Sequence, residues 1–300
     1  MNFVEKMKKQ ILIGLSLIIF GIIQAQETDN YIHFSVGGGE QHLNPTLAGG
    51  TTKAQPGFTV NVAYSHFFTS QWGVQFGVGA QSYTTLSTLN YLSVTPDVVD
   101  AVGDVYELRV NFKDWQEKQQ ALLVSVPVEL QYRYVWSDRF SLLTGVGASV
   151  SIPVQANYKT VGGEMVSTGY YSKWNVELSD LPQHGFGTYT NSFSGKFSLS
   201  PVYMVTGNLG GLFNLSEKLD LYVGGYIHYG LNNSIKASTK AVYEPAAVYN
   251  GFFNSDRVTK VTPIAFGVKL GIYWRLGEKY RDKTPEIEVM PVMPPGISSR

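Results

Sequence analysis

Residues 263–276 read P-I-A-F-G-V-K-L-G-I-Y-W-R-L, and every second position is apolar. Ile264, Phe266, Val268, Leu270, Ile272, Trp274 and Leu276 share one parity. Ala265, Gly267, Lys269, Gly271, Tyr273 and Arg275 share the other and are small, polar or charged. A strand sends alternate side chains to opposite faces, so one face suits hydrocarbon and the other a tight polar interior. A strand of a transmembrane β-barrel carries this pattern, a constraint few soluble folds would impose.

Seven earlier stretches alternate in the same way: residues 31–41, 58–68, 72–84, 121–136, 140–158, 197–213 and 219–231. The cleanest is 121–136, where Leu122, Val124, Val126, Val128, Leu130, Tyr132, Tyr134 and Trp136 oppose Ser125, Glu129, Gln131 and Arg133. The connections fall into two classes. Residues 69–71, 137–139 and 214–218 are short polar turns, whereas 85–120, 159–196 and 232–262 are long and 42–57 is intermediate. Short and long alternate strictly. The expected fold is therefore all-β: an eight-stranded antiparallel up-and-down transmembrane β-barrel, with periplasmic turns and long extracellular loops.

Composition agrees. The chain of 300 residues has 31 Gly and 19 Tyr and only 15% charged residues, as suits close strand packing with amphipathic aromatics. It has no Cys, which excludes disulfides, thiolate metal sites, cysteine nucleophiles and a lipid-anchored N-terminal Cys. Residues 1–25 read as a cleaved export signal: Lys6, Lys8 and Lys9 precede an apolar core over 11–23, too short to span a bilayer comfortably. Without them 20 basic and 22 acidic residues remain, so no basic surplus exists to hold nucleic acid. The domain reading is 1–25 signal peptide, 26–276 outer-membrane β-barrel, and 277–300 a periplasmic tail containing Pro285, Pro291, Pro294 and Pro295.

Two sets of residues stand out on this frame. Phe68, Trp72, Trp136, Phe140, Phe213 and Trp274 lie at the short-turn ends on the apolar face and read as a periplasmic-side aromatic girdle. Glu129, Arg133, Asp220, Lys269 and Arg275 have interior parity and read as a charge network in the lumen, since buried charges are costly unless paired. Glu129 and Arg133 are expected to pair with other strands, and Arg275 with Asp220. Eight strands leave room only for side chains, so a plugged lumen is expected. The five His show no ligand spacing, and His33 and His228 fall towards opposite ends of the lumen. No catalytic, metal or cofactor set is read. Aromatic residues of the long loops, among them Tyr106, Trp115, Tyr171, Tyr249, Phe252 and Phe253, are either a binding surface or packing that extends the strands above the membrane.

Lys269-x-Gly271-x-x-Trp274-x-Leu276 resembles the C-terminal insertion signal of OmpA-type and porin-family outer-membrane β-barrels, and residues 123–134 (L-V-S-V-P-V-E-L-Q-Y-R-Y) resemble a central strand of that family. The signal is internal here, and the 24 residues after Leu276 are too few for a peptidoglycan-binding domain. The resemblance implies a Gram-negative outer membrane, contact with its lipid, and passage through the barrel-assembly machinery. The expected function is structural, or binding of an extracellular ligand or protein through the loops. A narrow channel for small solutes and a rim-located lipid-modifying enzyme are the alternatives.

Overall fold

The computed structural model describes residues 29–190, 193–245 and 247–277. The expected export signal and all but the first residue of the proline-containing tail lie outside them. Eight strands carry the structure: β1 (Asp29–His42), β2 (Pro56–Phe67), β3 (Trp72–Val99), β4 (Val105–Ser137), β5 (Phe140–Tyr171), β6 (Val202–Ser216), β7 (Leu219–Gly230) and β8 (Ile264–Leu276). Each pairs antiparallel with its sequence neighbours, and β8 pairs with β1 through thirteen positions, including Phe34 opposite Ile272. The remaining pairs, β4–β5, β5–β6, β6–β7 and β7–β8, complete a ring of eight strands. No edge of the ring is left without a partner, which removes the exposed backbone groups that an open sheet presents.

The interior is narrow. Gly39 and Gly267 face one another in register, and a Cβ on either would collide with the backbone of the neighbouring strand. Side chains alternate as the sequence requires: Val126, Val128 and Leu130 are exposed on the outside, while Ser125, Glu129 and Gln131 are buried inside. Met204, Val202, Tyr222 and Tyr226 also point inward and are buried.

Three strands run much further than expected. The alternating stretches at 72–84, 121–136 and 140–158 continue to Val99, back to Val105 and on to Tyr171. Much of the long connections 85–120 and 159–196 is therefore sheet, and the β3–β4 hairpin turns at residues 100–104. β6 begins at Val202, five residues later than expected, because Phe197 is buried in the apolar packing above the ring. Short strands complete the upper region: Gly50–Ala54 beside β3, and Val176–Leu178, Gly187–Tyr189 and Ser194–Lys196 beside β5.

Candidate functional site

The interior has three levels. At the short-turn end, Arg133 on β4 donates to Asp29 on β1 at 2.7 Å, to the Tyr31 hydroxyl at 2.9 Å and to the Ser70 carbonyl at 3.0 and 3.1 Å. Arg275 on β8 meets Asp220 on β7 at 3.2 Å, and Asn214 donates to the other oxygen of Asp220 at 3.0 Å. Around these pairs Tyr31, Phe67, Leu143, Leu212, Tyr222 and Tyr273 form a buried apolar cluster. Arg133 lies 4.4 Å over the Phe67 ring and Arg275 5.2 Å over that of Tyr31. The guanidinium faces thus exchange water for aromatic surface.

Above it is a water-sized polar cavity, lined by His33, Ser35, Gln75, Glu129, Ser149, Thr206, His228 and Lys269 among others. Glu129 accepts from Asn208 at 2.6 Å and Gln75 at 3.4 Å. Gln81 and His228 Nδ1 meet at 2.7 Å, and His33 stacks on Tyr273 at 4.1 Å. The hydroxyls of Ser35, Ser149 and Thr206 and both ring nitrogens of His33 have no protein partner. Lys269 forms no ion pair among the described residues; its ammonium lies 5.7 Å from the Tyr222 ring centre.

The third level is a cap at the long-loop end, built from the extended strands and the β5–β6 and β7–β8 connections. Trp115, Leu108, Val110, Phe112, Met165, Phe186, Phe252 and Phe253 are buried in one apolar cluster. One acid lies within it. Glu117 on β4 accepts from Tyr249 at 2.8 Å, from Gln119 at 2.8 Å and from the Phe252 amide at 3.1 and 3.2 Å. Burial pushes its carboxyl up to about 7, against the lowering effect of those hydrogen bonds. Tyr249 is itself held by Trp115, whose indole donates to its hydroxyl at 3.0 Å, and is pushed well above the usual phenol range by burial and by the adjacent Glu117.

The five interior charges expected from sequence are all buried but do not form one network. Arg133 and Arg275 make separate ion pairs at the short-turn end, and Glu129 and Lys269 sit higher without an ion pair. Register explains the split: Lys269 lies opposite Gly37 and Gly224, six residues along β8 from Arg275. As expected, Glu129 and Arg133 bond to other strands, and Arg275 meets Asp220 directly. His33 and His228 line the same cavity from either side of Lys269, facing Tyr273 and Ala265 in register. No group of three metal-ligating side chains comes together among the described residues.

Phe68, Trp72, Trp136, Phe213 and Trp274 are exposed on the outside at the short-turn end, and Phe140 is half-buried against Phe213. On β8, Lys269 points inward while Trp274 and Leu276 point outward. The sequence reading missed Asp29 and Glu117. Asp29 shares the parity of Tyr31 two residues on, and Glu117 shares that of Gln119, Ala121 and Leu123, so extending both alternating runs would have found them. The loop aromatics are mostly self-packed: Trp115, Phe252 and Phe253 are buried, with Phe193 stacked on Tyr249 at 4.5 Å.

No family model matches the chain, and no curated protein matches it. Among solved structures, Ail, the attachment invasion locus protein of Yersinia pestis, in complex with the heparin analogue sucrose octasulfate, is similar at 12% identity over 83% of this chain and 99% of that one, with a TM-score of 0.32. The outer membrane protein OprG from Pseudomonas aeruginosa is similar at 10% identity over 83% and 95%, TM-score 0.35. The translocator domain of the autotransporter NalP from Neisseria meningitidis gives 10% identity over 91% and 97%, TM-score 0.24. Likeness at these scores decides neither family nor role.

Proposed function

We propose that this chain is an outer-membrane β-barrel protein of a Gram-negative bacterium, that its eight strands cross the bilayer around a plugged lumen, and that it works through the cap, as a structural element or as a binder of an extracellular ligand or protein. One observation carries the membrane reading. The outside of the ring is a belt of large apolar side chains, from Ile32, Phe34 and Val36 on β1, through Val126, Val128 and Leu130 on β4, to Leu270 and Ile272 on β8. Val128 is 58% exposed and Phe34 49%. Soluble monomers rarely expose so continuous an apolar surface, and a ring with a polar interior offers its outer face no core to join. Hydrocarbon is the solvent that this face matches.

The plugged lumen is supported by the ion-paired aromatic level below the cavity and the apolar cap above it. The proposal is non-enzymatic and has no nucleic-acid partner. Its partners are outer-membrane lipid and, through Lys269, Gly271, Trp274 and Leu276, the barrel-assembly machinery. Expression with the native N-terminus in a Gram-negative host tests the location. The protein should fractionate with the outer membrane, require detergent for extraction, and migrate differently on gels before and after boiling. Recovery as a water-soluble monomer would sink the proposal. Planar-bilayer recording of the purified protein should show no steady conductance; discrete channel steps would replace the plug with the narrow-channel alternative. Turnover of labelled lipid A would restore the enzyme reading.

A further inference from the structure

On the wall above the apolar belt, Lys53, Lys118, Lys159 and Lys196 stand nearly in line across neighbouring strands. Lys53, on the short strand Gly50–Ala54, is opposite Leu86 of β3. Leu86 is opposite Lys118 of β4, and Lys118 is opposite Lys159 of β5. Lys196, on Ser194–Lys196, is opposite Asn157, two residues along β5 from Lys159. The row faces outward. Lys118 alternates with the buried Glu117 and Gln119, and Lys159 with the buried Tyr158 and Thr160. Lys53, Lys159 and Lys196 are exposed, and Lys118 is half-buried. None of them makes an ion pair among the described residues. Higher on β4 the outward cations are paired, Arg109 with Glu107 and Glu177, and Lys113 with Glu164. Like charges directly opposite one another destabilise a sheet. The outward neighbours of Lys118 and Lys159 along their own strands are Gln116, Gln120, Asn157 and Val161, so no carboxylate relieves them there.

The row also has a fixed place relative to the belt. Going up the outer face, Leu122 and Val154 are apolar, Gln120 opposite Asn157 is a pair of neutral amides, and Lys118 opposite Lys159 is a pair of cations. Lys118 stands four residues beyond Leu122, about 13 Å along the strand and about 10 Å in height at the tilt of a barrel strand. Apolar, amide, cation is the order that matches a lipid leaflet read from its acyl chains to its phosphates. We propose that Lys53, Lys118, Lys159 and Lys196 bind the phosphorylated headgroup of lipopolysaccharide, the glycolipid of the outer leaflet, with its acyl chains against the belt below. This rests on the membrane reading above, which sets the long-loop end outside. From Lys53 to Lys159 the row spans three interstrand spacings, about 14 Å, wider than one phosphate, so it suits a headgroup that carries several. An ammonium is a point charge on a flexible stem, which takes phosphate without a fixed geometry while the stem lies along the wall. Repulsion between Lys118 and Lys159 in the free barrel becomes shared attraction to the anion.

The test titrates the full protein in detergent with purified lipopolysaccharide and with the same material dephosphorylated. Lys118→Gln with Lys159→Gln should raise the half-saturating concentration of lipopolysaccharide roughly tenfold or more, and adding Lys53→Gln and Lys196→Gln should raise it further. Lys236→Gln with Lys240→Gln removes two exposed cations of the β7–β8 connection and should change it less than about twofold. The dephosphorylated probe should bind the parent no better than lipopolysaccharide binds the double variant. Phosphatidylglycerol, with one phosphate per lipid, should displace lipopolysaccharide only weakly. Without lipopolysaccharide, Lys118→Gln should unfold at a midpoint no lower than the parent's, because it relieves repulsion; with it, the parent should gain more. Unchanged affinity in the fourfold variant, or an equal loss in the Lys236 and Lys240 pair, overturns the site. Equal binding of the dephosphorylated probe overturns phosphate as the group read, and equal displacement by phosphatidylglycerol at matched phosphate overturns the glycolipid as its source. Gel migration before and after boiling is recorded on every sample. A protein without that shift that stays soluble without detergent fails the barrel reading itself, whereas a heat-modifiable barrel with unaltered binding fails only the lysine site.

Discussion

β4 is written twice, in opposite senses. From Leu122 to Trp136 its outward residues are apolar and its inward ones include Ser125, Glu129, Gln131 and Arg133. From Tyr106 to Lys113 its outward residues are Glu107, Arg109, Asn111 and Lys113, and its inward ones are Tyr106, Leu108, Val110 and Phe112. One continuous hydrogen-bonded strand thus has an apolar coat over a polar filling at one end and a polar coat over an apolar filling at the other. A β-bulge near Asp114 turns the apolar parity from outward to inward, and pairing to β3 and β5 resumes on either side of it. On the membrane reading proposed above, the lower coat matches a hydrocarbon solvent and the upper one water. In the upper half the hydrophobic effect builds an ordinary core. In the lower half, on that reading, it does not drive the interior together, and hydrogen bonds and ion pairs fill the lumen instead.

The largest test of that contrast is in the lower filling. Asp220→Asn should cost about 3–5 kcal/mol, because it leaves Arg275 buried without its counter-charge while Nε and Nη1 already lack partners. Urea unfolding in lipid vesicles should show it as a lowered midpoint, with amide exchange over 105–113 in the cap unchanged. Glu129→Gln should cost less, about 1–3 kcal/mol, since Glu129 is held by two amides rather than by an ion pair. An unaltered midpoint in Asp220→Asn would mean that the lower interior is hydrated, and the contrast would then lie only in the coat.

The coat gives the next effect. Val128→Arg puts a guanidinium on the belt and should weaken assembly by roughly 2–4 kcal/mol if the residue sits at the bilayer midplane. Asn111→Arg, on the outward face of the same strand above the belt, should change stability by less than about 0.5 kcal/mol. Yield of heat-modifiable protein in the membrane fraction measures both. Equal tolerance at the two positions would erase the contrast between the two coats.

How much of this was legible follows from the same inversion. Alternation located all eight strands, because a ring with unlike faces keeps period two on every strand. The upper half of β4 reads as part of a long connection because its coat is polar and its apolar residues, Tyr106, Leu108, Val110 and Phe112, alternate on the inward side; the upper parts of β3 and β5 carry mixed coats, with Leu92, Val94 and Val161 exposed. The Arg275–Asp220 pair was legible because β7 and β8 pair directly and both residues lie at their short-turn ends. The Arg133–Asp29 pair joins strands β4 and β1, which are not adjacent in the ring, so no local spacing announces it. Glu117 was hidden for a further reason: its partners, Tyr249 and Phe252, stand more than 130 residues later in a connection without repeating pattern.

The inversion also needs a hinge in parity, and it has one. Inward residues are even-numbered through Phe112 and odd-numbered from Trp115, and the β4–β5 register shifts between Lys113 and Glu117. Asp114 takes a φ of 47° there, clipped by reciprocal bonds with Asn90 at 2.7 and 2.9 Å, and across the bulge Gly163 takes a φ of 83°. Such a bulge re-aims every side chain beyond it. Gly163→Ala should cost about 1–3 kcal/mol, since an alanine in that region is strained and its Cβ would collide with the Asp114 carbonyl. The loss should be confined to the cap: faster amide exchange at 105–113 and 164–171, with membrane assembly and the boiling-dependent gel shift intact. If the ring itself is destabilised, the two halves of β4 fold as one unit, and the bulge is not a boundary between two solvents but part of a single cooperative wall.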